Sequence, residues 1–507
     1  MTDNYIILPI IGHMAIAVLL IFFWKKPILQ RMVSVAGSVL VLGLSIGLFV
    51  KTWRYSYLVM QAGDWQAPFG ITFVSDIFSA TMVLLAGIAG LAVSIFSTVG
   101  ISRHRIQYGY FPILHFLLLG LNGAFLTGDI FNLYVWFEVV IISSFVLITL
   151  GGKKPQLEGG IKYVTLNLLA STMFLTAIAI LYGLTGSLNM ADLSLKLAEI
   201  NNRGLVNVTG LLFFLGFGIK SAVFPLYFWL PSSYHTPPSA VAAMFGGLLT
   251  KVGVYAMIRV FTLIFIPDAF TSNVLMIVAS ATLLTGAFGA ITKRNMRMMF
   301  SYLIVCHIGY LIGGLGIYTE LALAGVVFYL MHDIIVKTNL FLVSGIIYKI
   351  RGTMDMDKLG GLYADYPKLS FLMAIVFFSL VGIPPLSGFW PKIYLFREGL
   401  ANPHAWHLIV TMIIASFVTL YVIAKMWADV FWKNKPAAEA EVPDDFARMR
   451  FSNRAVLIVP VVMLAIVSLY IGFCAEHIAS LSQRIAADLK DTAPYIKAVL
   501  GREIIKP

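Results

Sequence analysis

The 507-residue chain is poor in charge: Asp, Glu, Lys and Arg together make up 12% of it, against about 25% in soluble domains. With 59% hydrophobic residues and a mean hydropathy of +0.89, that shortage excludes a soluble globular protein and leaves the membrane class. Acids are scarcer than bases, 24 against 36, for a formal charge of +12. In a soluble chain such an excess would suggest nucleic acid. Here most Lys and Arg fall in short loops between apolar segments, so no nucleic-acid partner is expected. Cysteine is almost absent. Cys306 and Cys474 lie far apart in apolar runs, no Cys/His spacing suits a metal, and both read as packing residues. No Rossmann fingerprint, P-loop, iron–sulfur cysteine pattern or haem motif occurs, so no cofactor is expected and redox or ATP chemistry would belong to other chains.

Long apolar runs fill the chain instead. A crossing takes roughly 17–25 residues, which gives about fourteen spans at ~6–24, ~32–50, ~72–99, ~110–127, ~130–150, ~161–185, ~205–230, ~239–263, ~272–292, ~299–316, ~320–348, ~369–398, ~405–432 and ~453–475. The expected fold is an all-α polytopic membrane protein. The first span lacks the short apolar region and cleavage site of a signal peptide and is counted as a real crossing. The loops after spans 1, 3, 5, 9, 11 and 13 carry "WKKPILQRM", "ISRHR", "GGKKP", "TKRNMRMM", "YKIRG" and "WKNKP", while "FIPDAFTS" and "IYTE" on the other side have no base. Basic loops stay inside, so both termini are expected on the outer side. The tail "EHIASLSQRIAADLKD" sets Ile478, Leu481, Ile485 and Leu489 at helical spacing. It reads either as an amphipathic helix lying on the membrane or a partner, or as a frayed end.

A short set of ionisable residues remains at bilayer depth: Glu138, Lys220, Lys251, His332, Asp333, Lys337 and Lys392. Any one of them could be a satisfied polar contact between helices. One glutamate, one aspartate and several lysines on five helices are harder to explain that way, because intramembrane charge is expensive and functional by default. Lysine also gives up its proton more readily once desolvated, which a proton path requires. Asp333 and Lys337, at i and i+4 on one face, are expected to pair, either as part of that path or as mere structural neutralisation. His307 reads as a packed or hydrogen-bonded histidine. Arg259 and Lys425 lie nearer helix ends, where snorkelling suffices.

Two spans are interrupted. "FLGFGIKSAVFPLYFWLP" carries Lys220 five residues before Pro225, which removes the backbone donor that would bond Ser221. "FSLVGIPPLSGFWPKIYLF" carries Pro384, Pro385, Gly388 and Pro391, with Lys392 immediately after. These are spans 7 and 12, five apart, so they run in opposite directions. Broken helices at matching places of inverted repeats point to a transporter's ion path. The expected division is 1–109 for three N-terminal helices, 110–263 and 272–432 for two inverted five-helix repeats (spans 4–8 and 9–13), and 433–507 for a cytoplasmic loop, the last span and the tail.

At these residues the chain resembles the antiporter-like family shared by respiratory complex I, membrane-bound hydrogenases and Mrp-type cation/proton antiporters. "NLYVWFEVVIISSF" resembles the family's glutamate helix, and "LGFGIKSAVFPLYFWLPSSYHTPPSAVAAMFGGLLTKVGVYAMIRVF" its most distinctive block. "HDIIVKTNLF" and "GIPPLSGFWPK" resemble later segments. The wording "SYHTPPSAVAAMFGGLLTKVGVYAMIRVF" and "HDIIVKTNLFLVSG" is similar to the D-type subunits of the Mrp branch, although many relatives carry histidine where Asp333 stands. The resemblance implies proton-path roles for Glu138, paired with Lys220, and for Lys251, His332, Asp333, Lys337 and Lys392. It also implies a non-enzymatic subunit in the cell membrane of a prokaryote. Such a subunit works with other membrane subunits in the lipid bilayer and exchanges Na+ outward for H+ inward. A proton-pumping subunit of a complex I-like dehydrogenase or membrane-bound hydrogenase would use the same residues, and a non-transporting scaffold is the remaining alternative. No cluster of carboxylates and carbonyls marks a Na+ site, so metal ligands stay unassigned.

Overall fold

The computed structural model describes residues 3–436 and 443–501; the stretch 437–442 of the "KNKPAAEAEVPDDFARMRFSNR" loop lies outside them. In a bilayer every backbone polar group must bond within the protein, so apolar runs become helices. The helices of eight or more residues are α1 (Asn4–Phe22), α2 (Pro27–Tyr55), α3 (Ile77–Gly100), α4 (Tyr110–Leu126), α5 (Ile130–Thr149), α6 (Lys154–Thr185), α7 (Met190–Glu199), α8 (Arg203–Ser221), α9 (Ser239–Leu263), α10 (Ala269–Ile291), α11 (Met296–Ile317), α12 (Glu320–Arg351), α13 (Pro367–Val381), α14 (Phe389–Ala401), α15 (Trp406–Trp432), α16 (Phe451–Phe473), α17 (Ala475–Lys490) and α18 (Ala493–Leu500). Among the described residues 12 helices are long and apolar enough to cross a membrane, and the shorter apolar α4 and α13 accompany them. That set is compatible with fourteen crossings. It adds a small antiparallel hairpin of β1 (Leu58–Gln61) and β2 (Thr72–Ser75) to an otherwise helical protein.

Contacts between loops sort them onto two faces. On one, Asp3 N donates to the Val59 carbonyl and Gly128 N to that of Thr72. Arg484 of α17 reaches the Trp53 carbonyl, and Lys490 that of Tyr318. The chain start, the loops after spans 2, 4 and 10 and the tail therefore share this terminal face. On the opposite, basic face Arg297 donates to the Pro237 carbonyl, and Lys433 to that of Asp357. The tail is an ordered helix docked on its own chain: Ser482, Ile485, Ala486 and Leu489 are buried.

The two breaks share one backbone device. Helix α8 stops at Ser221 because Ala222 is left-handed (φ 61°), and α13 stops at Val381 because Gly382 is left-handed (φ 84°). Each stop is closed by the next amide: Val223 N bonds the Gly218 carbonyl, and Ile383 N that of Phe378. This is the usual left-handed helix terminus. Pro225 is thus not what breaks α8, as its lost donor suggested. It lies in the linker after the helix has ended, where no donor is required. Pro384 and Pro385 occupy the same place, Gly388 precedes α14, and Pro391 sits in its first turn.

A second correspondence joins the two halves. Ile130 N bonds the Leu188 carbonyl and Met190 N that of Gly128 on the terminal face. Met296 N bonds the Met354 carbonyl and Met356 N that of Arg294 on the basic face. The same reciprocal bridge ties the start of α5 to the start of α7 and the start of α11 to the end of the α12 loop, on opposite faces.

Candidate functional site

Glu138 sits partly buried on α5 and accepts a 2.5 Å hydrogen bond from Ser171 Oγ of α6. Lys220, in the last turn of α8 before the break, donates to that same hydroxyl at 3.1 Å. Its ammonium also lies 4.9 Å over the Phe137 ring. Glu138 and Lys220 are therefore joined through Ser171 rather than in direct contact. Beyond Lys220 a void of about 10 Å³, roughly the space of one water, is lined by Phe137, Tyr163, Asn167, Trp229 and, from α9, Leu249 and Val252.

Lys251 follows on α9 just after a π-helical turn, Phe245–Leu249, a local widening often found at functional sites. Its ammonium donates to the Gly246 carbonyl inside that turn at 2.6 Å. It also forms a 2.8 Å ion pair with Asp333 of α12, both side chains being wholly buried. Gly247 permits the close approach of the two helices, since a Cβ there would collide with Thr338 of α12. The other Asp333 oxygen bonds His307 Nδ1 of α11 at 3.1 Å. An ionised carboxylate only accepts, so His307 carries its proton on Nδ1, leaving Nε2 free of partners.

The expected Asp333–Lys337 pair does not form. Lys337 Nζ is fully buried without a hydrogen-bond partner. Asp333 turns instead to two donors on neighbouring helices, because α12 is enclosed by protein and across-helix partners compete with the i+4 residue. Such a buried pair depends on both members. Losing one leaves a charge uncompensated, at a cost of about 3–5 kcal/mol.

Around the second break, His332 Nδ1 bonds Ser387 Oγ at 2.8 Å. Ser387 Oγ meets Ser468 Oγ of α16 at 3.0 Å, and Ser468 donates to Ser379 at 3.2 Å. Lys392, in the first turn of α14, donates to the Val381 carbonyl left free by the break (2.9 Å), and its ammonium lies 3.4 Å from Ser416 Oγ. It sits 5.1 Å over the Tyr310 ring, and Tyr310 OH meets Ser416 Oγ at 2.6 Å. Tyr310 and Tyr329 stack, and both rings abut His307. Tyr329 also meets His332 edge-on.

The structure thus brings six of the seven expected residues into three groups, leaves Lys337 buried without a hydrogen-bond partner, and adds Ser171, His307, Tyr310, Ser387 and Ser416. Nothing in the sequence singled out the serines. His307 was visible as a buried histidine, but its carboxylate partner was not. Arg259 departs from expectation: it does not snorkel but is buried in a 2.6 Å ion pair with Asp76. Lys425 is exposed. Among the described residues no group of three or more His, Cys, Asp or Glu gathers as a metal site.

Residues 127–419 match the model of the NADH:quinone oxidoreductase/Mrp antiporter transmembrane family. The D subunit of the Na(+)/H(+) antiporter of Alkalihalophilus pseudofirmus is 43% identical over 500 residues, covering 98% of this chain and 99% of that protein. The Bacillus subtilis protein of the same name is 38% identical over the same shares. A chain of the Mrp complex from a Dietzia species superposes with a TM-score of 0.87 at 28% identity, covering 98% of this chain and 100% of that one. A chain of the membrane-bound sulfane sulfur reductase, an archaeal respiratory complex, does so at 0.87 and 24% identity, a likeness of fold alone.

Proposed function

The chain belongs to the NADH:quinone oxidoreductase/Mrp antiporter transmembrane family, and from that premise we propose that it moves protons through the buried polar file described above. It is a multi-pass membrane subunit of a bacterial Na+/H+ antiporter, a transporter chain rather than an enzyme, and it works in a hetero-oligomeric complex. The proton enters the file at Glu138 and Lys220 and passes from Lys251 through Asp333, His307, His332 and Lys337 toward Lys392. Na+ leaves in exchange, driven by the proton gradient. The observation that carries this reading is a pair of hydrogen-bonded bridges between buried ionisable groups: Ser171 bridges Glu138 to Lys220, and Asp333 bridges Lys251 to His307. Both bridges are groups that can receive one proton and release another.

The repeats 110–263 and 272–432 are part of the same reading. The matched left-handed helix stops at Ala222 and Gly382 and the reciprocal bridges on opposite faces support them. The excess of bases on the basic face supports a plasma-membrane orientation with that face in the cytoplasm and both termini outside. Reconstitution tests the assignment. The whole complex in liposomes is expected to exchange Na+ for H+, and this chain alone to give no exchange, because it supplies a proton file but no evident sodium site. Robust exchange by the purified chain on its own would contradict it.

A further inference from the structure

One buried ion pair plays no part in that path. Helix α9 carries Lys251, Tyr255 and Arg259 at four-residue spacing, so the three share one buried stripe. Arg259 lies about 12 Å from Lys251 toward the terminal face, at 1.5 Å per residue. Its guanidinium pairs with Asp76 at 2.6 Å and is walled by the rings of Phe78, Tyr255 and, from α18, Tyr495, each 5.5–5.6 Å away. Asp76 is itself fixed, because its other oxygen caps α3 by accepting from Ser79 N at 2.8 Å. Tyr255 OH donates to the Phe125 carbonyl and accepts from Arg259. On α17, half-buried Asp488 has one carboxylate oxygen unpartnered. Burial, and then the Asp76 charge, raise its pKa.

Leaving Arg259 aside, the series Asp488, Asp76, Tyr255, Lys251 consists of groups that can accept and return a proton. Arginine is the exception, for it stays charged at every physiological pH. A guanidinium that cannot release its proton interrupts such a series, and arginines bar protons and cations in selective pores in the same way. We propose that Arg259, held by Asp76 and the three rings, is the terminal-face barrier that prevents cations from passing between Lys251 and that face. Antiport requires such a barrier, since a file open at both ends would leak protons without moving Na+. The proposal rests on the antiport reading above.

The test uses vesicles holding the whole complex at matched amounts. A preset pH difference is followed with a pH-sensitive dye before Na+ is added, and exchange afterwards. Without Na+, Arg259→Met is expected to collapse the pH difference several-fold faster than wild type, and Arg259→Lys to leak as well, because a buried lysine can release its proton and arginine cannot. Adding Lys251→Ala to Arg259→Met restores tightness, because the leak runs through Lys251. The paired variant Asp76→Asn/Arg259→Gln leaves no buried charge unbalanced, is expected to leak in the same way, and stands in should the single variant fail to assemble. Arg259→Met vesicles as tight as wild type would overturn the barrier. So would a leak that survives Lys251→Ala, which would mark a packing defect. Wild-type vesicles without exchange would instead overturn the antiport reading beneath it.

Discussion

The two broken helices use the same backbone device but place their lysines on opposite sides of it. Lys220 precedes the left-handed Ala222 and is tied to Glu138 through Ser171. Lys392 follows the left-handed Gly382 and has no carboxylate: its ammonium is held by the Val381 carbonyl, Ser416 and the face of Tyr310. A lysine with a linked acid can trade its proton against a nearby opposite charge. A lysine held only by dipoles and a π-face must return its proton when the incoming charge changes, because nothing local neutralises it. On the proposed proton path the first site serves exchange within a pair, and the second loading and release.

The difference predicts where the file breaks most completely. Lys392→Ala is expected to abolish sodium-dependent proton flux in vesicles while complex assembly, followed by co-purification, stays intact. Lys392→Arg should fail as well, since arginine keeps its proton. Flux retained at normal expression in either variant would remove Lys392 from the path. A smaller loss is expected at the first site's bridge. Ser171→Ala deletes the hydroxyl's two hydrogen bonds to charged groups; one such bond is worth about 1.5–3 kcal/mol, so a roughly ten- to hundredfold slower exchange is expected. Ser171→Thr keeps the hydroxyl and should retain most activity. Exchange at the wild-type rate in Ser171→Ala would mean that Glu138 and Lys220 communicate without it. The smallest effect belongs to the second site's side branch. Ser387→Ala removes a neutral bond to His332 worth about 0.5–1.5 kcal/mol, roughly a two- to tenfold slowing. A loss as large as that of Lys392→Ala would place Ser387 on the main route instead.

Much of this was legible in the residues because charge at bilayer depth is rare and costly. Glu138, Lys220, Lys251, Asp333 and Lys392 stand out against apolar neighbours, and hydropathy alone yields the spans. The partners were harder to read. Serine occurs anywhere in a membrane helix because it can bond its own preceding turn, as Ser144 does with the Val140 carbonyl, so Ser171 and Ser387 carry no signal. The i+4 rule offered Lys337 to Asp333, but that rule describes helix surfaces, and α12 is buried all round, so Lys251 and His307 prevail. Prolines marked where each helix is interrupted but not the residue that stops it, since Ala222 takes a left-handed conformation that alanine seldom adopts. The spacing of Ile485 and Leu489 allowed a tail helix but left a frayed end equally open. That the helix docks on this chain depends on contacts with residues hundreds of positions earlier, such as Arg484 with Trp53.

If Glu138 and Lys220 act as one unit through Ser171, neither can work without the other. Vesicle antiport measured for wild type, Glu138→Gln, Lys220→Ala and the double variant at matched expression tests this most directly. Residues that work as a unit are non-additive. Each single variant is expected to stop exchange, and the double to be no worse than either. Partial activity in both single variants, with losses that simply multiply in the double, would contradict the coupling.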